Sequence, residues 1–247
     1  IFFIISSKYF NFGHDRDDKI QGIHNLRAQR TGGIVIYLTV LLLMFIDGFN
    51  HHIFIFSSSI ILMSGLYEDI KENNSITLRL FFLFVGSLFL VFFTKTFLRN
   101  VDILWLNYLL SFNSISTLLT ILGIVITINA WNFIDGLNGL SSGVASTSLL
   151  SLAILASLEN QDNIANYILT ISAISLGFMM VNLTGKIFLG DGGSYFLGTI
   201  IAWIGILLTV VSPVSPWTVF LIIVYKNLSK KVSSCPVIIF KSLIFPI

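Results

Sequence analysis

The sequence predicts an all-α fold, a polytopic transmembrane helical protein with about 8–10 membrane helices. Of its 247 residues, 55% are hydrophobic and only 11% are charged, and the mean hydropathy is +0.90. Soluble globular domains carry about 25% charged residues, so this chain could not cover a water-facing surface. The apolar segments lack the alternation of apolar and polar residues that is typical of membrane barrels, which leaves helices to satisfy the backbone in lipid.

The predicted crossings are eight apolar runs separated by polar loops. They span residues 34–46, 53–66, 78–93, 115–131, 144–158, 167–182, 196–211 and 217–225. Several runs are shorter than the ~20 residues that a membrane helix needs, so we expect their helices to extend into flanking polar residues. A weaker run, 103–110, predicts a short or interfacial segment. The first residues, IFFIIS, are interpreted as the stump of a further helix, because no basic segment precedes them as in a signal peptide.

The basic residues are distributed unevenly between the two sides of the membrane. When the crossings alternate, one side receives the loops 8–33, 67–77, 132–143, 183–195 and 226–236. These loops contain Lys8, Arg16, Lys19, Arg27, Arg30, Lys71, Lys186, Lys226, Lys230 and Lys231, with Arg79 at their edge. The opposite loops contain only Lys95 and Arg99, so the positive-inside rule predicts that the first side is cytoplasmic. A net charge of +2 without a basic run argues against a nucleic-acid partner.

Two polar stretches on the predicted cytoplasmic side join charged side chains to helix ends. The first, HDRDDKIQGIHNLRAQRTGG, ends in two glycines at a helix start and carries Arg30, a combination that favours phosphate groups. The second, SGLYEDIKENNSITLRL, places Glu68 and Asp69 where a helix leaves the membrane, which suits a divalent cation or a base beside one. The alternatives are a basic loop that only fixes topology and a solvated helix end.

Two further stretches on the same side combine acids, amides and glycines. The third, NAWNFIDGLNGLSSG, contains Asn129, Asn132 and Asp135 three residues apart, which places them roughly along one face of a helix. The fourth, GKIFLGDGGSYFLG, surrounds Asp191 with glycines, so that the backbone can approach a ligand while the carboxylate faces a metal. The alternatives are a polar helix cap for the third stretch and a tight loop for the fourth.

Together, the four stretches predict a single site at the inner membrane surface. Acids, amides, glycines and bases on one face suit a Mg²⁺-bound phosphate or diphosphate, and therefore an enzyme that joins a charged, water-soluble substrate to a lipid. A secondary transporter is the alternative from another class, since intramembrane acids also mark ion-coupled carriers. Such carriers place their acids near the bilayer midplane within paired repeats, whereas this chain shows no repeat and clusters its polar residues at helix ends.

With these motifs in this order, the chain resembles the polyprenyl-phosphate N-acetylhexosamine-1-phosphate transferases. That family includes the phospho-MurNAc-pentapeptide translocase and the GlcNAc-1-phosphate transferases that start polysaccharide synthesis. The resemblance covers roughly residues 14–225 and rests on HNLRAQRTGG, GLYEDI, LRL, NAWNFIDGLNGLSSG, GKIFLGDGGSYFLG and VSPWTVFLIIVY. The motifs GLYEDI and GDGGSYFLG are more similar in sequence to the polysaccharide-initiating branch than to the peptidoglycan branch.

The resemblance implies a reaction and its participants. A UDP-N-acetylhexosamine gives its sugar-1-phosphate to undecaprenyl phosphate, releasing UMP and starting an O-antigen-like polysaccharide on the lipid carrier. The implied cofactor is Mg²⁺, with Mn²⁺ as an alternative, and the implied location is the bacterial inner membrane with the active site facing the cytoplasm. The partners are the UDP-N-acetyl sugar, undecaprenyl phosphate, the lipid bilayer and a second copy of the chain in a homodimer.

The resemblance also implies roles for individual residues. Asp69, Asp135 and Glu68 stand at the positions of catalytic acids, with Glu68 where the family has Asp. Asp191 matches the Mg²⁺ ligand that contacts the diphosphate. The implied substrate-binding residues are Asn129, Asn132, Asn138, Phe188, Arg30 and Lys186. Among them, Phe188 matches an aromatic side chain that stacks on uracil.

Two departures from the family pattern lie near the ends of the match. Ala28-Gln29-Arg30 stands where the family has Thr-Pro-Arg. After VSPWTVFLIIVY the family continues into a basic loop with a His-rich motif, whereas this chain reads KNLSKKVSSCPVIIFKSLIFPI. We therefore predict an integral-membrane transferase domain at 1–225 and an aberrant basic and apolar tail at 226–247, as a truncation or frameshift would produce. An inactive remnant of the enzyme is the corresponding alternative function.

Overall fold

The computed structural model describes residues 30–46, 52–71, 75–212 and 214–228, and these residues form nine α-helices and no strand. The helices are α1 Gly32–Ile46, α2 His52–Ile70, α3 Ile76–Thr94, α4 Leu104–Leu110, α5 Asn113–Ile134, α6 Leu140–Leu158, α7 Asp162–Asn182, α8 Gly190–Val211 and α9 Pro216–Leu228. Each predicted apolar run lies within one helix, and the weaker run forms the short helix α4. The all-α prediction is confirmed.

Five of the helices are long and apolar enough to span a membrane, namely α3, α5, α6, α7 and α8. Helix α1 is apolar but shorter. As expected, the helices extend beyond the apolar runs into polar residues, because α5 spans 113–134 around the run 115–131. The chain is therefore a multi-pass membrane protein.

The predictions about the chain ends and about assembly stay predictions. The helix stump at IFFIIS and most of the predicted tail lie outside the described residues. The predicted domain boundary after residue 225 falls inside α9. A single chain is described, so the homodimer also stays a prediction.

Helix α8 is the centre of the bundle, because α1, α2, α5, α6 and α9 all pack against it. It is the most buried of the five membrane-length helices. Its first turns are rich in glycine, and glycine lets helix backbones come close together in a membrane. A Cβ atom on Gly33 of α1 would lie 2.3 Å from the backbone nitrogen of Gly193, and one on Gly65 of α2 would lie 2.5 Å from Cα of Gly192. The glycines thus set how closely α1 and α2 approach the start of α8.

This contact gives a testable prediction for packing. Gly65→Ala is expected to lower the free energy of unfolding by about 1–3 kcal/mol, because the added methyl group meets backbone atoms that cannot rotate away. The measurement is the apparent unfolding temperature of the detergent-solubilised chain. Gly123→Ala is the matched control, since nothing lies within 4 Å of its added Cβ atom. An equal unfolding temperature for both variants would contradict this packing.

The four polar stretches come together at one end of the bundle, as far as they are described. The start of α1 contacts the chain before α8, since the Gly32 N–H donates to the Phe188 carbonyl at 3.0 Å. The last turns of α2 and α5 contact the start of α8 through Asp69 and Asn132. The end of α7 contacts the start of α6 through Asn182. Six helix ends therefore surround one site, and residues 14–29 of the first stretch lie outside the described residues.

The opposite end of the bundle has a separate polar network. The Leu98 N–H donates to Thr120 Oγ1 at 2.9 Å, and Ser116 Oγ donates to the Leu98 carbonyl at 2.8 Å. Ser215 Oγ, just before α9, donates to Asp102 Oδ2 at 2.5 Å. These bonds tie the connection between α3 and α4 to α5 and α9, so the polar residues at this end have a structural role.

Candidate active site

Asp69 caps the N-terminus of α8 from the last turn of α2. The backbone N–H of Asp191 donates to Asp69 Oδ1 at 3.0 Å, and the N–H of Gly192 donates to Asp69 Oδ2 at 3.1 Å. These N–H groups have no partner within their own helix, and the helix dipole favours a negative charge at this position. A Cβ atom on Gly190, which has a φ of +75°, would lie 2.7 Å from Asp69 Oδ2. Glycine therefore lets the carboxylate reach the helix start.

Asp191 is held by an amide from α5. Asn132 Nδ2 donates to Asp191 Oδ1 at 2.7 Å and lies 3.1 Å from Ser194 Oγ. Ser194 Oγ donates in turn to the Asp191 carbonyl at 3.0 Å. An amide that binds one carboxylate oxygen fixes the orientation of the group, so Asp191 presents its carboxylate in a defined direction at the end of the bundle.

Two arginines accompany the neighbouring acids Glu68 and Asp69. Arg30 Nη1 lies 3.8 Å from Asp69 Oδ1, and Arg79 Nη1 lies 3.6 Å from Glu68 Oε1. The Tyr195 hydroxyl donates to Glu68 Oε2. Acids and bases from α2, α3, α8 and the residues just before α1 thus meet at one place, and the two arginines provide the positive charge that a phosphate-binding site needs.

Burial shifts the acids of α2 towards their protonated forms. Both lie in the last turn of the helix, beyond its apolar run 53–66. Burial raises the pKa of Asp69, the negative charge of Asp191 raises it further, and the backbone hydrogen bonds and Arg30 oppose the shift. Burial also raises the pKa of Glu68, against the hydrogen bond from Tyr195 and the charge of Arg79. Negative charge is therefore crowded around Asp191, and a bound cation would relieve the repulsion.

Hydrogen bonds to its backbone carbonyls hold the loop before α8 in place. Asn182 at the end of α7 accepts a hydrogen bond from the Gly139 N–H and donates to the Ile187 carbonyl at 2.6 Å. The Gly33 N–H donates to the Leu189 carbonyl at 3.0 Å, as Gly32 does to Phe188. Protein carbonyls thus already accept the hydrogen bonds of the Gly32 and Gly33 N–H groups. Anion binding by the first stretch stays a prediction, and among its described residues Arg30 is the one that would carry it.

The other predicted substrate-binding residues lie around this cluster without direct contacts to its carboxylates among the described residues. Asn129 donates to the Val125 carbonyl of its own helix at 2.8 Å. Asn138 is half-buried in the α5–α6 connection, Lys186 is exposed, and Phe188 is half-buried in the loop before α8. Their roles in substrate binding stay predictions.

Asp135 lies close to the cluster along the chain. It follows the last residue of α5, and its N–H donates to the Asn132 carbonyl at 3.2 Å. It is half-buried. Asp135 therefore stands within one helical turn of Asn132, the residue that binds Asp191, and its catalytic role stays a prediction.

The structure adds residues that sequence reasoning missed. Ser194 and Tyr195 lie three and four residues after Asp191, and on a helix such residues share a face. That spacing in GDGGSYFLG was the signal that could have identified them. Arg79 could be identified from its place one turn inside α3, but its pairing with Glu68 requires the contact between two helices. Nothing local to the sequence indicates the bridging role of Asn182.

An apolar groove of about 600 Å³ runs between α2 and α3 beside this cluster. Its apolar lining includes Phe56, Ile60, Met63 and Phe82. Arg79, the partner of Glu68, is also part of the lining. The groove therefore leads from the membrane-spanning part of the bundle to the charged site.

Comparison with known proteins identifies a family for this chain. No curated protein matches the chain significantly. The family model described as glycosyl transferase family 4 matches residues 51–209, well over half of the chain, including Glu68, Asp69, Asn132 and Asp191. We conclude that the chain belongs to glycosyl transferase family 4, the family of the polyprenyl-phosphate hexosamine-1-phosphate transferases.

Proposed function

We propose that this protein transfers a sugar-1-phosphate from a UDP-N-acetylhexosamine to undecaprenyl phosphate at the cytoplasmic face of a bacterial inner membrane. Membership of the family supports the general reaction, which is transfer of a sugar phosphate to a polyprenyl phosphate. The observation that carries the more specific proposal is the cluster of Asp69, Asn132 and Asp191 at one end of the bundle, beside an apolar groove. It offers one site to a charged donor and a lipid acceptor.

The acids of this cluster fit a divalent cation. Mg²⁺ is usually bound by one or two carboxylates, with water and substrate phosphate oxygens completing its ligands. The described residues contain no group of three or more His, Cys, Asp or Glu side chains suited to a metal, so the proposal requires water and substrate to supply the remaining ligands. Asp191 would hold the ion, with Asp69 behind it at the helix start. When bound, Mg²⁺ would neutralise the diphosphate of the donor.

In this reaction the main role of the protein is to position the donor and the acceptor. An oxygen of the lipid phosphate attacks the phosphorus that bears the sugar, and the bond from that phosphorus to the UMP oxygen breaks. The electron pair of that bond leaves with UMP. A phosphate monoester is mostly ionised at neutral pH, so the attacking oxygen needs no base to supply its lone pair. The work of the protein is to align acceptor and donor and to offset their negative charges, which Arg30 and Arg79 are placed to do.

The lipid acceptor is proposed to lie in the groove between α2 and α3. A polyprenyl chain is apolar along its length and carries its phosphate at one end. The lining of Phe56, Ile60, Met63 and Phe82 suits such a chain, and Arg79 provides charge for the phosphate. The acceptor phosphate would then lie next to Glu68 and the Asp69 cap of α8.

The clustering of the acidic residues at one end of the bundle argues against the transporter alternative. Ion-coupled carriers bind their substrates near the bilayer midplane, between broken helices. The described acids of this site lie instead at helix ends, Asp69 in the last turn of α2 and Asp191 in the first turn of α8.

The nucleotide is proposed to stack on Phe188, and this gives a prediction. Phe188→Ala should raise the KM for the UDP-sugar with little change in kcat, because stacking of a base on an aromatic ring contributes about 1–3 kcal/mol, or about 5- to 150-fold. The measurement is steady-state kinetics with varied UDP-sugar. Phe92→Ala, an exposed phenylalanine of α3, is the matched control. An unchanged KM in Phe188→Ala would contradict the stacking role.

An exchange assay tests the proposed function itself. Membranes that contain the chain would receive undecaprenyl phosphate, Mg²⁺ and radiolabelled UDP-GlcNAc or UDP-GalNAc. We expect label in the lipid phase together with released UMP, and loss of both when EDTA is added. Membranes without the chain are the control. Absence of label with the folded chain and every UDP-N-acetylhexosamine supplied would contradict the proposal.

A further inference from the structure

We infer that the adjacent acids of α2 have different roles, and that Glu68 and Tyr195 are positioning residues that hold Arg79 at the groove to bind the phosphate of the lipid acceptor. This inference rests on the proposed function and goes beyond it, because the resemblance gives Glu68 a catalytic role of its own. The sequence-based interpretation gives neither Tyr195 nor Arg79 a catalytic or substrate-binding role.

The side chains of Glu68 and Asp69 point in different directions. Consecutive residues of a helix point about 100° apart, so Glu68 and Asp69 face different neighbours. Asp69 uses both oxygens on the N–H groups that open α8. Oε2 of Glu68 instead accepts a hydrogen bond from the Tyr195 hydroxyl, and Oε1 of Glu68 forms an ion pair with Arg79. The carboxylate of Glu68 is thus committed to two protein partners.

The contacts of Glu68 connect three helices. Tyr195 belongs to the central helix α8, Glu68 to α2 and Arg79 to α3. The hydroxyl of Tyr195 comes from a fully buried residue, so it gives Glu68 a fixed partner. Glu68 then gives the long arginine side chain a preferred direction. A flexible guanidinium fixed in advance loses less conformational entropy when it binds an anion.

Arg79 lies in largely apolar surroundings. Among the described residues that line the groove, Arg79 carries the charge, and the others are apolar or bear a hydroxyl group. Its Nε is buried and has no hydrogen-bond partner within the described part of the chain. The contact of 3.6 Å to Glu68 involves Nη1. A guanidinium can bind a phosphate through two parallel N–H groups, so the remaining donors suit an anionic head whose apolar tail fills the groove.

Steady-state kinetics on the full chain in nanodiscs test this arrangement. With saturating UDP-sugar and varied undecaprenyl phosphate, Arg79→Gln is expected to raise the KM for the lipid about 10-fold or more, since charged hydrogen bonds are lost. Tyr195→Phe should raise the same KM by a smaller factor, and Arg79→Lys should restore part of the loss. The KM for the UDP-sugar should stay unchanged in all three. Equal increases in both KM values, or a fall in kcat alone, would overturn the inference.

Matched controls separate this effect from general damage. Tyr167→Phe removes the hydroxyl of another buried tyrosine, on α7. Arg99→Gln removes another arginine, whose Nη1 donates to Asn113 Oδ1 at the opposite end of the bundle. Both should keep the wild-type KM for the lipid. A comparable increase in either control would overturn the assignment to Arg79 and Tyr195.

A binding measurement keeps the inference testable apart from the reaction. Undecaprenyl phosphate should raise the unfolding temperature of the wild-type chain more than undecaprenol, which lacks the phosphate. Arg79→Gln should abolish this difference. If the wild-type chain shows the difference but no transfer, the proposed function fails while the phosphate site stands. If Arg79→Gln keeps the wild-type difference, the phosphate site is overturned even when transfer is observed.

Discussion

Replacing Asp191 by Asn is expected to reduce sugar-phosphate transfer by more than about 100-fold, since loss of a residue that only supports a metal ligand already costs about 10- to 100-fold. The amide of the new side chain has nearly the shape of the carboxylate, and its oxygen can still accept the hydrogen bond from Asn132. The negative charge that would hold Mg²⁺ is lost. The variant should therefore fold normally and fail in the exchange assay.

Two measurements decide this prediction. The unfolding temperature should match the wild-type value or exceed it, because removal of a charge next to Asp69 relieves repulsion. The transfer rate should stay low even when Mg²⁺ is raised tenfold. Asp162→Asn, at the exposed first turn of α7, is the matched control and should keep full activity. Full activity of Asp191→Asn would remove Asp191 from the site.

The sequence predicted the helices well, because burial in lipid requires long apolar runs that are visible without tertiary contacts. It predicted their ends less well. Helix α8 begins at Gly190, six residues before its apolar run at 196, because the polar turn GDGGSY is helical. An apolar pattern cannot show this extension. The cap from Asp69, which satisfies that turn, comes from a helix far away in the chain.

Part of the site could be predicted from motifs, and part required contacts between helices. Asp69, Asn132 and Asp191 were each identified from the sequence and do meet in the structure. Asn129, Asn132 and Asp135 were expected to lie roughly along one face of a helix, although each step of three residues falls about 60° short of a full turn. Two such steps separate Asn129 from Asp135, which agrees with its hydrogen bond inside α5.

The pairing of Glu68 with Tyr195 and Arg79 was beyond the sequence for a different reason. A Glu-Asp pair at a helix end gives no indication of which acid faces which neighbour. That depends on the rotation of α2 against α8, which the close contact at Gly65 and Gly192 determines. Packing of small residues, rather than the charges themselves, therefore assigns the two acids to different partners.

Asp69→Asn tests most directly whether Asp69 serves to cap the start of α8. In the wild-type chain, the Asp69 carboxylate accepts hydrogen bonds from two N–H groups at the buried start of α8. An asparagine amide offers one oxygen and turns its NH₂ group towards the other donor. An unsatisfied buried group costs about 1–3 kcal/mol, so the apparent unfolding temperature should fall together with transfer activity. Asp191→Asn should lose activity alone. The two variants therefore separate a residue that caps the helix start from one that we propose as the metal ligand, and an Asp69→Asn chain as stable as the wild type would contradict the cap.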